Sequence, residues 1–69
     1  MIRKGSKVTW KFGNGEATGK VKETYAEEVS KTIKGKKITR KGESGNKALL
    51  IEQEDGDTVL KLESEVSKA

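Results

Sequence analysis

Residues 7–12 alternate between polar and apolar side chains. The apolar members are Val8, Trp10 and Phe12, and a Lys or Thr precedes each of them. Successive side chains of an extended chain point to opposite faces, so this period of two predicts a half-buried β-strand. We expect the three apolar side chains to point together into the core.

A second extended run is predicted over residues 16–26, after a turn at Gly13-Asn14-Gly15. Asn-Gly is a strong hairpin signal because both residues tolerate positive φ. Gly19 lies inside the second run, where a glycine often marks a bulge or a sharp bend that helps a small barrel to close. One face of this run carries Ala17, Gly19, Val21, Glu23 and Tyr25.

Residues 27–34 continue as an extended segment, since β-branched Val29 and Ile33 favour a strand. A turn at Gly35-Lys36 follows, with Ile33 and Ile38 on its two arms. Residues 41–47 are polar and contain two glycines, which predicts a mobile loop.

The most apolar strand is predicted over residues 48–54, and we expect it to be central. Asp55-Gly56 then forms the tip of a hairpin that leads into a last full strand over 58–62. In the tail, Ser64 is expected to cap one helical turn, and Val66 to pack back onto the core. Five short strands, glycine turns and a short C-terminal helical turn predict an all-β, SH3-like five-stranded barrel.

The composition limits the chemistry that is available to the protein. With 69 residues, the chain is expected to form a single domain over 1–69. It contains neither Cys nor His, which removes disulfides, thiolate nucleophiles, zinc-binding thiolates and the commonest general acid–base. We therefore predict a non-enzymatic protein with no cofactor and no metal.

No hydrophobic segment predicts a membrane anchor. Arg3 and Lys4 are not followed by an apolar run, so no signal peptide is predicted. The longest apolar run, residues 48–51, is far too short to span a bilayer. We expect a soluble cytoplasmic protein without a membrane partner.

Charge is distributed unevenly along the chain. Residues 1–42 contain 12 basic and 4 acidic side chains, whereas residues 43–69 contain 3 basic and 7 acidic ones, and the formal net charge is +4. Such an asymmetry bears on partners and association rather than on fold. It is compatible with a monomer, or with weak self-association in which the basic part of one copy meets the acidic part of another.

Five segments, in this order and spacing, cover nearly the whole chain: Gly5–Trp10, Gly15–Val21, Thr32–Arg40, Leu50–Gly56 and Ser64–Val66. Together they resemble one known family, the small hypervirulence-associated Tudor-like domain. The resemblance implies an SH3-like, Tudor-type barrel, and the family carries no established biochemical activity that it could imply for this chain. Lys47 and Leu49 stand where the family has a proline and an aromatic residue, and Lys41 stands where it tends to have His.

A basic stretch is the leading candidate for a binding site. Six cations occur within residues 31–41 without an acidic residue among them, and phosphate backbones are natural partners for such a stretch. We therefore predict that the stretch binds nucleic acid or a ribonucleoprotein weakly and without sequence preference. The alternative is a solvated edge that discourages aggregation between strands. The six cations are Lys31, Lys34, Lys36, Lys37, Arg40 and Lys41.

The aromatic residues suggest a second class of function. Tudor domains that bind methylated peptides hold the cation among several aromatic faces, and Trp10 and Tyr25 are the candidates for peptide binding here. Core packing is the competing interpretation for Trp10, and one exposed Tyr25 is not a cage. A protein–protein adaptor could instead use a strand edge or a groove near Tyr25.

The acidic cluster of the C-terminal half does not indicate a calcium site. Its spacing differs from that of an EF-hand loop, which needs oxygen ligands at alternating positions and a distal Glu. An Asp- and Gly-rich hairpin tip is the interpretation that we adopt. The cluster consists of Glu52, Glu54, Asp55 and Asp57.

Overall fold

The computed structural model describes residues 2–69, and the fold is all-β as predicted. Residues 2–69 form seven strands instead of the predicted five: each predicted extended run forms a strand, the segment after the Gly35 turn forms a further one, and a short strand follows the C-terminal turn. The strands are β1 (Lys7–Phe12), β2 (Gly15–Tyr25), β3 (Glu28–Ile33), β4 (Lys36–Lys41), β5 (Ala48–Gln53), β6 (Thr58–Leu62) and β7 (Ser67–Lys68). None of the helical structure in residues 2–69 is long and apolar enough to cross a membrane.

The strands form two separate hydrogen-bonded sheets. Five of them form one antiparallel sheet in the order β6-β5-β2-β1-β7, and β3 and β4 form a two-stranded hairpin. This hairpin lies against β6 without pairing to it. Within residues 2–69, the ladders therefore do not join into the single closed five-stranded barrel that we predicted.

The core lies on one face of the five-stranded sheet. Val8, Trp10 and Val21 pack there against Leu49 and Ile51. Burial of an aliphatic side chain of this size contributes about 1.5–3 kcal/mol, so these few residues provide much of the stability of so small a chain. β5 carries buried residues on both faces and lies between β2 and β6, which agrees with its predicted central position.

Phe12 is not in the core, contrary to the alternation of β1. Its exposed fraction is 71%, whereas that of Trp10 is 5%. Phe12 pairs with Gly15 at the end of the β1–β2 hairpin, but β5 pairs with β2 only from Gly19 onward. The tip of the hairpin therefore extends past the part of the sheet in which β5 contributes Leu49 and Ile51 to the core.

The irregularity in β2 is displaced from its predicted position. Gly19 keeps a regular register with both neighbouring strands, and the bulge lies between Val21 and Glu23. After the extra residue, the side chains of β2 point to the opposite face from the one that the alternation predicts. Glu23 is therefore exposed, and its carboxylate forms an ion pair with Nζ of Lys4 at 3.1 Å. The prediction that Glu23 continues the face of Val21 is therefore wrong.

Gly19 is required for close packing rather than for a bend. A Cβ atom at this position would lie 2.5 Å from Cγ2 of Ile51 and 2.8 Å from the carbonyl oxygen of Glu52. Real Cβ atoms essentially never approach other heavy atoms this closely. The absence of a side chain is what allows β2 and β5 to approach each other here.

Two turns differ in detail from the prediction. The β3–β4 turn is formed by Lys34-Gly35, one residue earlier than predicted, and both residues have positive φ. The segment predicted as a mobile loop contains a tight turn in which Glu43 and Asn46 exchange backbone hydrogen bonds of 3.0 and 2.9 Å. Lys47, the last residue of this segment, donates its backbone N–H to the carboxylate of Glu63 at 2.7 Å.

The C-terminal turn is a single 3₁₀ turn over Glu63–Glu65. Ser64 does not cap it, since the carboxylate of Glu65 accepts the N–H of Leu62 at 2.9 Å instead. Val66 packs against the core as predicted. The chain then adds β7 to the free edge of β1, a pairing that the sequence did not indicate.

Candidate nucleic-acid interface

The β3–β4 hairpin has two unlike faces. Paired residues of an antiparallel ladder share a face, so the register assigns every side chain of the two strands. The inner face, half-buried except for Lys36, consists of Val29, Lys31, Ile33, Lys36, Ile38 and Arg40. The outer face, entirely exposed, consists of Glu28, Ser30, Thr32, Lys37, Thr39 and Lys41.

Lys34, in the hairpin turn, pairs with an acidic residue of the turn between β5 and β6. Its Nζ lies 2.7 Å from a carboxylate oxygen of Asp57. The hydrogen bond to Asp57, and then the charge of that carboxylate, raise the pKa of Lys34 above its ordinary value. Lys34 is therefore engaged within the molecule, and its charge is largely compensated.

Arg40 also forms an ion pair within the molecule, with Glu65 of the 3₁₀ turn. Its Nε donates to the carboxylate of Glu65 at 3.0 Å, and its Nη1 donates to the backbone oxygen of Thr39 at 3.0 Å. Partial burial alone would raise the pKa of Glu65. The N–H of Leu62 and the Arg40 guanidinium outweigh that effect and lower the pKa below its ordinary value.

Lys31 contacts an aromatic ring rather than a carboxylate. Its Nζ lies 5.3 Å from the centroid of the Tyr25 ring, within the range of a cation–π interaction. The ring that was predicted to border a peptide groove thus carries a cation of the same chain above it.

The other three cations of the stretch are exposed. Within residues 2–69, Lys36, Lys37 and Lys41 form no ion pair; we refer to them as the unpaired lysines. Lys37 and Lys41 lie on the outer face together with hydroxyl groups, among which Ser30 and Thr39 are hydrogen-bonded at 2.8 Å. The structure therefore divides the six predicted residues into three that contact other parts of the fold and three that face solvent.

The comparison with protein families bears on this arrangement. Residues 5–66 match the family described as the Tudor domain of hypervirulence-associated proteins. The chain belongs to this Tudor family. Comparisons with curated proteins and with solved structures found no match. Domains of the Tudor type are in general non-catalytic modules that bind proteins or nucleic acids.

The aromatic residues of this Tudor domain do not form a cage. Trp10 is buried in the core, as its alternative interpretation held. Phe12 and Tyr25 lie at opposite ends of the β1–β2 region, because Phe12 pairs with the first residue of β2 and Tyr25 is the last. The geometry thus gives no support to Trp10 and Tyr25 as partners in recognising a methylated lysine.

Phe12 borders a cleft that sequence reasoning missed. The cleft has a volume of about 450 Å³ and lies between the tip of the β1–β2 hairpin, the β3–β4 turn and the start of β6. No signal in the sequence points to this cleft, because the alternating pattern of β1 predicts that Phe12 lies in the core. Its lining includes Phe12, Ile33, Ile38, Val59, Lys34, Lys36 and Asp57.

The acidic hairpin has the local geometry of an ordinary turn. The N–H of Asp57 donates to the side chain of Asp55 at 3.0 Å, and Gly56 has a φ of 90°. Nowhere in the part of the chain that the structure describes do three or more His, Cys, Asp or Glu side chains come together in a way that could hold a metal ion.

Proposed function

We propose that this Tudor domain is a non-enzymatic module that binds the phosphate backbone of nucleic acids, weakly and without sequence preference. The observation that carries the proposal is the exposure of the unpaired lysines on one hairpin. A carboxylate partner would have compensated their charge, as Asp57 does for Lys34. The hydroxyl groups of Ser30 and Thr39 add groups of the kind that bind phosphate oxygens.

The division of the six cations changes the expected salt dependence. Each neutralised phosphate contributes about −0.9 to the slope of log K against log salt on duplex DNA. Six contacts would give about −5, whereas the three unpaired lysines give about −2.7 on duplex and about −2 on a single strand. Affinity at physiological salt should fall in the non-specific range, with Kd of about 10⁻⁴–10⁻⁶ M.

A charge-matched pair of triple variants tests the site. The test variant replaces Lys36, Lys37 and Lys41 with Gln, and the control variant replaces three exposed lysines elsewhere. The control lysines are Lys7, Lys20 and Lys68, which form no ion pair within residues 2–69. Both variants lower the formal net charge of +4 by the same amount.

Binding is measured by fluorescence anisotropy with a labelled duplex of random sequence over a series of salt concentrations. We expect the test variant to lose most of its binding and most of its salt slope, and the control to retain most of both. Backbone amide shifts of β4 should move on addition of duplex. Equal losses in the two variants would show that net charge, not this hairpin, governs binding, and no binding at low salt would refute the proposal.

A second candidate function is the binding of a partner strand along β3. Within residues 2–69, β3 pairs only with β4, so its other edge presents unpaired backbone groups. Such β-augmentation rests on main-chain hydrogen bonds and should depend little on salt. Since Lys31 lies over the Tyr25 ring, this edge is a better candidate than a groove near Tyr25.

A further inference from the structure

Phe12 is an exposed aromatic side chain in a setting that is not typical of a scattered surface residue. Single apolar side chains on a surface are common and need no explanation. Phe12, however, shares its cleft with three half-buried apolar side chains, Ile33, Ile38 and Val59. The ring, 71% exposed, thus stands beside an apolar wall that is open to solvent.

The same cleft carries positive charge. Lys34 and Lys36 line it together with Asp57, so two positive charges and one negative charge border the cleft. Because Asp57 compensates Lys34, Lys36 is the cation of this pair that remains available to a ligand. An aromatic ring, an apolar wall and the uncompensated ammonium group of Lys36 therefore line one cleft. Lys36 is one of the unpaired lysines.

We infer that this cleft binds an unpaired base of a single-stranded nucleic acid, with Phe12 as the stacking platform and Lys36 on the adjacent phosphate. The inference rests on the phosphate-binding function proposed above and specifies its substrate class. Every base has a π face, so such stacking tolerates any sequence. In a duplex those faces are occupied by neighbouring base pairs, and Phe12 has nothing to stack on.

The charge of the cleft favours this occupant over an apolar peptide. A peptide side chain would fill the apolar wall but would give Lys36 no partner unless an acidic residue followed it. In a nucleic acid, the phosphate that neutralises Lys36 is covalently linked to the base that stacks on Phe12. One nucleotide therefore satisfies both features of the cleft.

Replacement of Phe12 with Ala separates stacking from phosphate binding. A stacked base typically loses about 5- to 150-fold in affinity when its aromatic partner is replaced by Ala. We expect a loss in this range for a short labelled oligothymidylate, and no change for a duplex of the same length. Phe12→Leu keeps the side chain apolar and should show nearly the same selective loss.

Lys36→Gln provides the complementary variant. It removes a phosphate contact that both ligands use, and should therefore weaken oligothymidylate and duplex binding alike. A separate signature of stacking is an upfield shift of the thymine methyl resonances on addition of the wild-type protein, which Phe12→Ala should abolish. Far-UV circular dichroism verifies that each variant is folded.

The outcomes distinguish the two proposals. If wild-type protein binds duplex and oligothymidylate, but Phe12→Ala weakens neither or weakens both equally, the stacking inference is wrong and the phosphate-binding function stands. If wild-type protein binds neither ligand at low salt, the proposed function fails and the stacking inference fails with it. Selective loss of oligothymidylate binding supports both.

Discussion

Two glycines of β2 provide a stringent test of the packing described above. Gly15 and Gly19 lie in the same strand, and neither has a positive φ. A Cβ at Gly15 would meet nothing within 4 Å, whereas a Cβ at Gly19 would lie 2.5 Å from Cγ2 of Ile51 and 2.8 Å from the oxygen of Glu52. The same substitution, Gly→Ala, should therefore have opposite effects at the two positions.

The structure allows both effects to be given a magnitude. At Gly19, the added methyl must displace either a fully buried, β-branched side chain with a stiff χ1 or a backbone carbonyl of β5. Overpacking of this kind typically costs about 1–3 kcal/mol. At Gly15, Ala restricts the unfolded chain without a clash and should stabilise by about 0.4–1 kcal/mol.

Thermal unfolding is a suitable assay because the domain is small. A change of 1 kcal/mol shifts the Tm of a domain of this size by about 4–8 °C. Gly19→Ala should therefore lower Tm by about 4–24 °C, and Gly15→Ala should raise it by about 2–8 °C. Far-UV circular dichroism follows the strands, and the fluorescence of the single, buried Trp10 follows the core.

The sign of the two shifts decides the outcome. If Gly19→Ala is as stable as the wild type, the close approach of β2 to β5 is not present in solution. If both variants raise Tm, glycine entropy rather than packing controls the stability of β2; if both lower it, the open space at Gly15 is not present in solution. A core of this size rarely supplies more than about 3–5 kcal/mol net. If the clash at Gly19→Ala costs the full amount of about 3 kcal/mol, a measurable fraction of that variant should be unfolded at ambient temperature.

Two further predictions concern the ion pairs that hold the hairpin. Asp57→Asn removes the partner of Lys34. The freed cation should tighten duplex binding and make the slope of log K against log salt steeper by about 0.9. An unchanged slope in the anisotropy assay would contradict this prediction. Because the folded-state pKa of Glu65 is lowered, its carboxylate stabilises the fold above its ordinary pKa of 4.5, and this contribution is lost as the pH falls through the lowered value. Urea unfolding should show Glu65→Gln to be less stable at pH 7 by about 0.2–1 kcal/mol and equal to the wild type at strongly acidic pH; a difference that did not vary with pH would exclude the assigned role.

Much of the strand layout could be predicted because it is encoded locally. The alternation of residues 7–12, Gly13-Asn14 and Asp55-Gly56 each fix a strand or a turn within a few residues. In the first turn the residue with positive φ is Gly13, whereas Gly15, which was expected to share that role, already begins β2. The exposure of Phe12 could not be predicted in this way, since it depends on where β5 stops pairing with β2. The outward orientation of Glu23 depends on a bulge after Val21 that has no signal in the sequence.

For the proposed binding site, the sequence predicts only a set of candidate residues. Six closely spaced cations are visible in the sequence, but their partners Asp57 and Glu65 are brought to them by the tertiary fold. The same holds for Phe12, which reaches the cleft beside Lys36 although it is distant from it in sequence. Long-range contacts decide which charges are compensated, and a pattern along one chain does not contain them.

The separation of the β3–β4 hairpin from the main sheet has a consequence for its dynamics. Within residues 2–69, its ladder bonds are internal to the hairpin, so it can open without breaking a strand pair of the core. Its amide protons should therefore exchange with solvent through local opening, at a lower free energy than those of β2 and β5. A ligand on this hairpin would slow that exchange while leaving the protection of the core amides nearly unchanged.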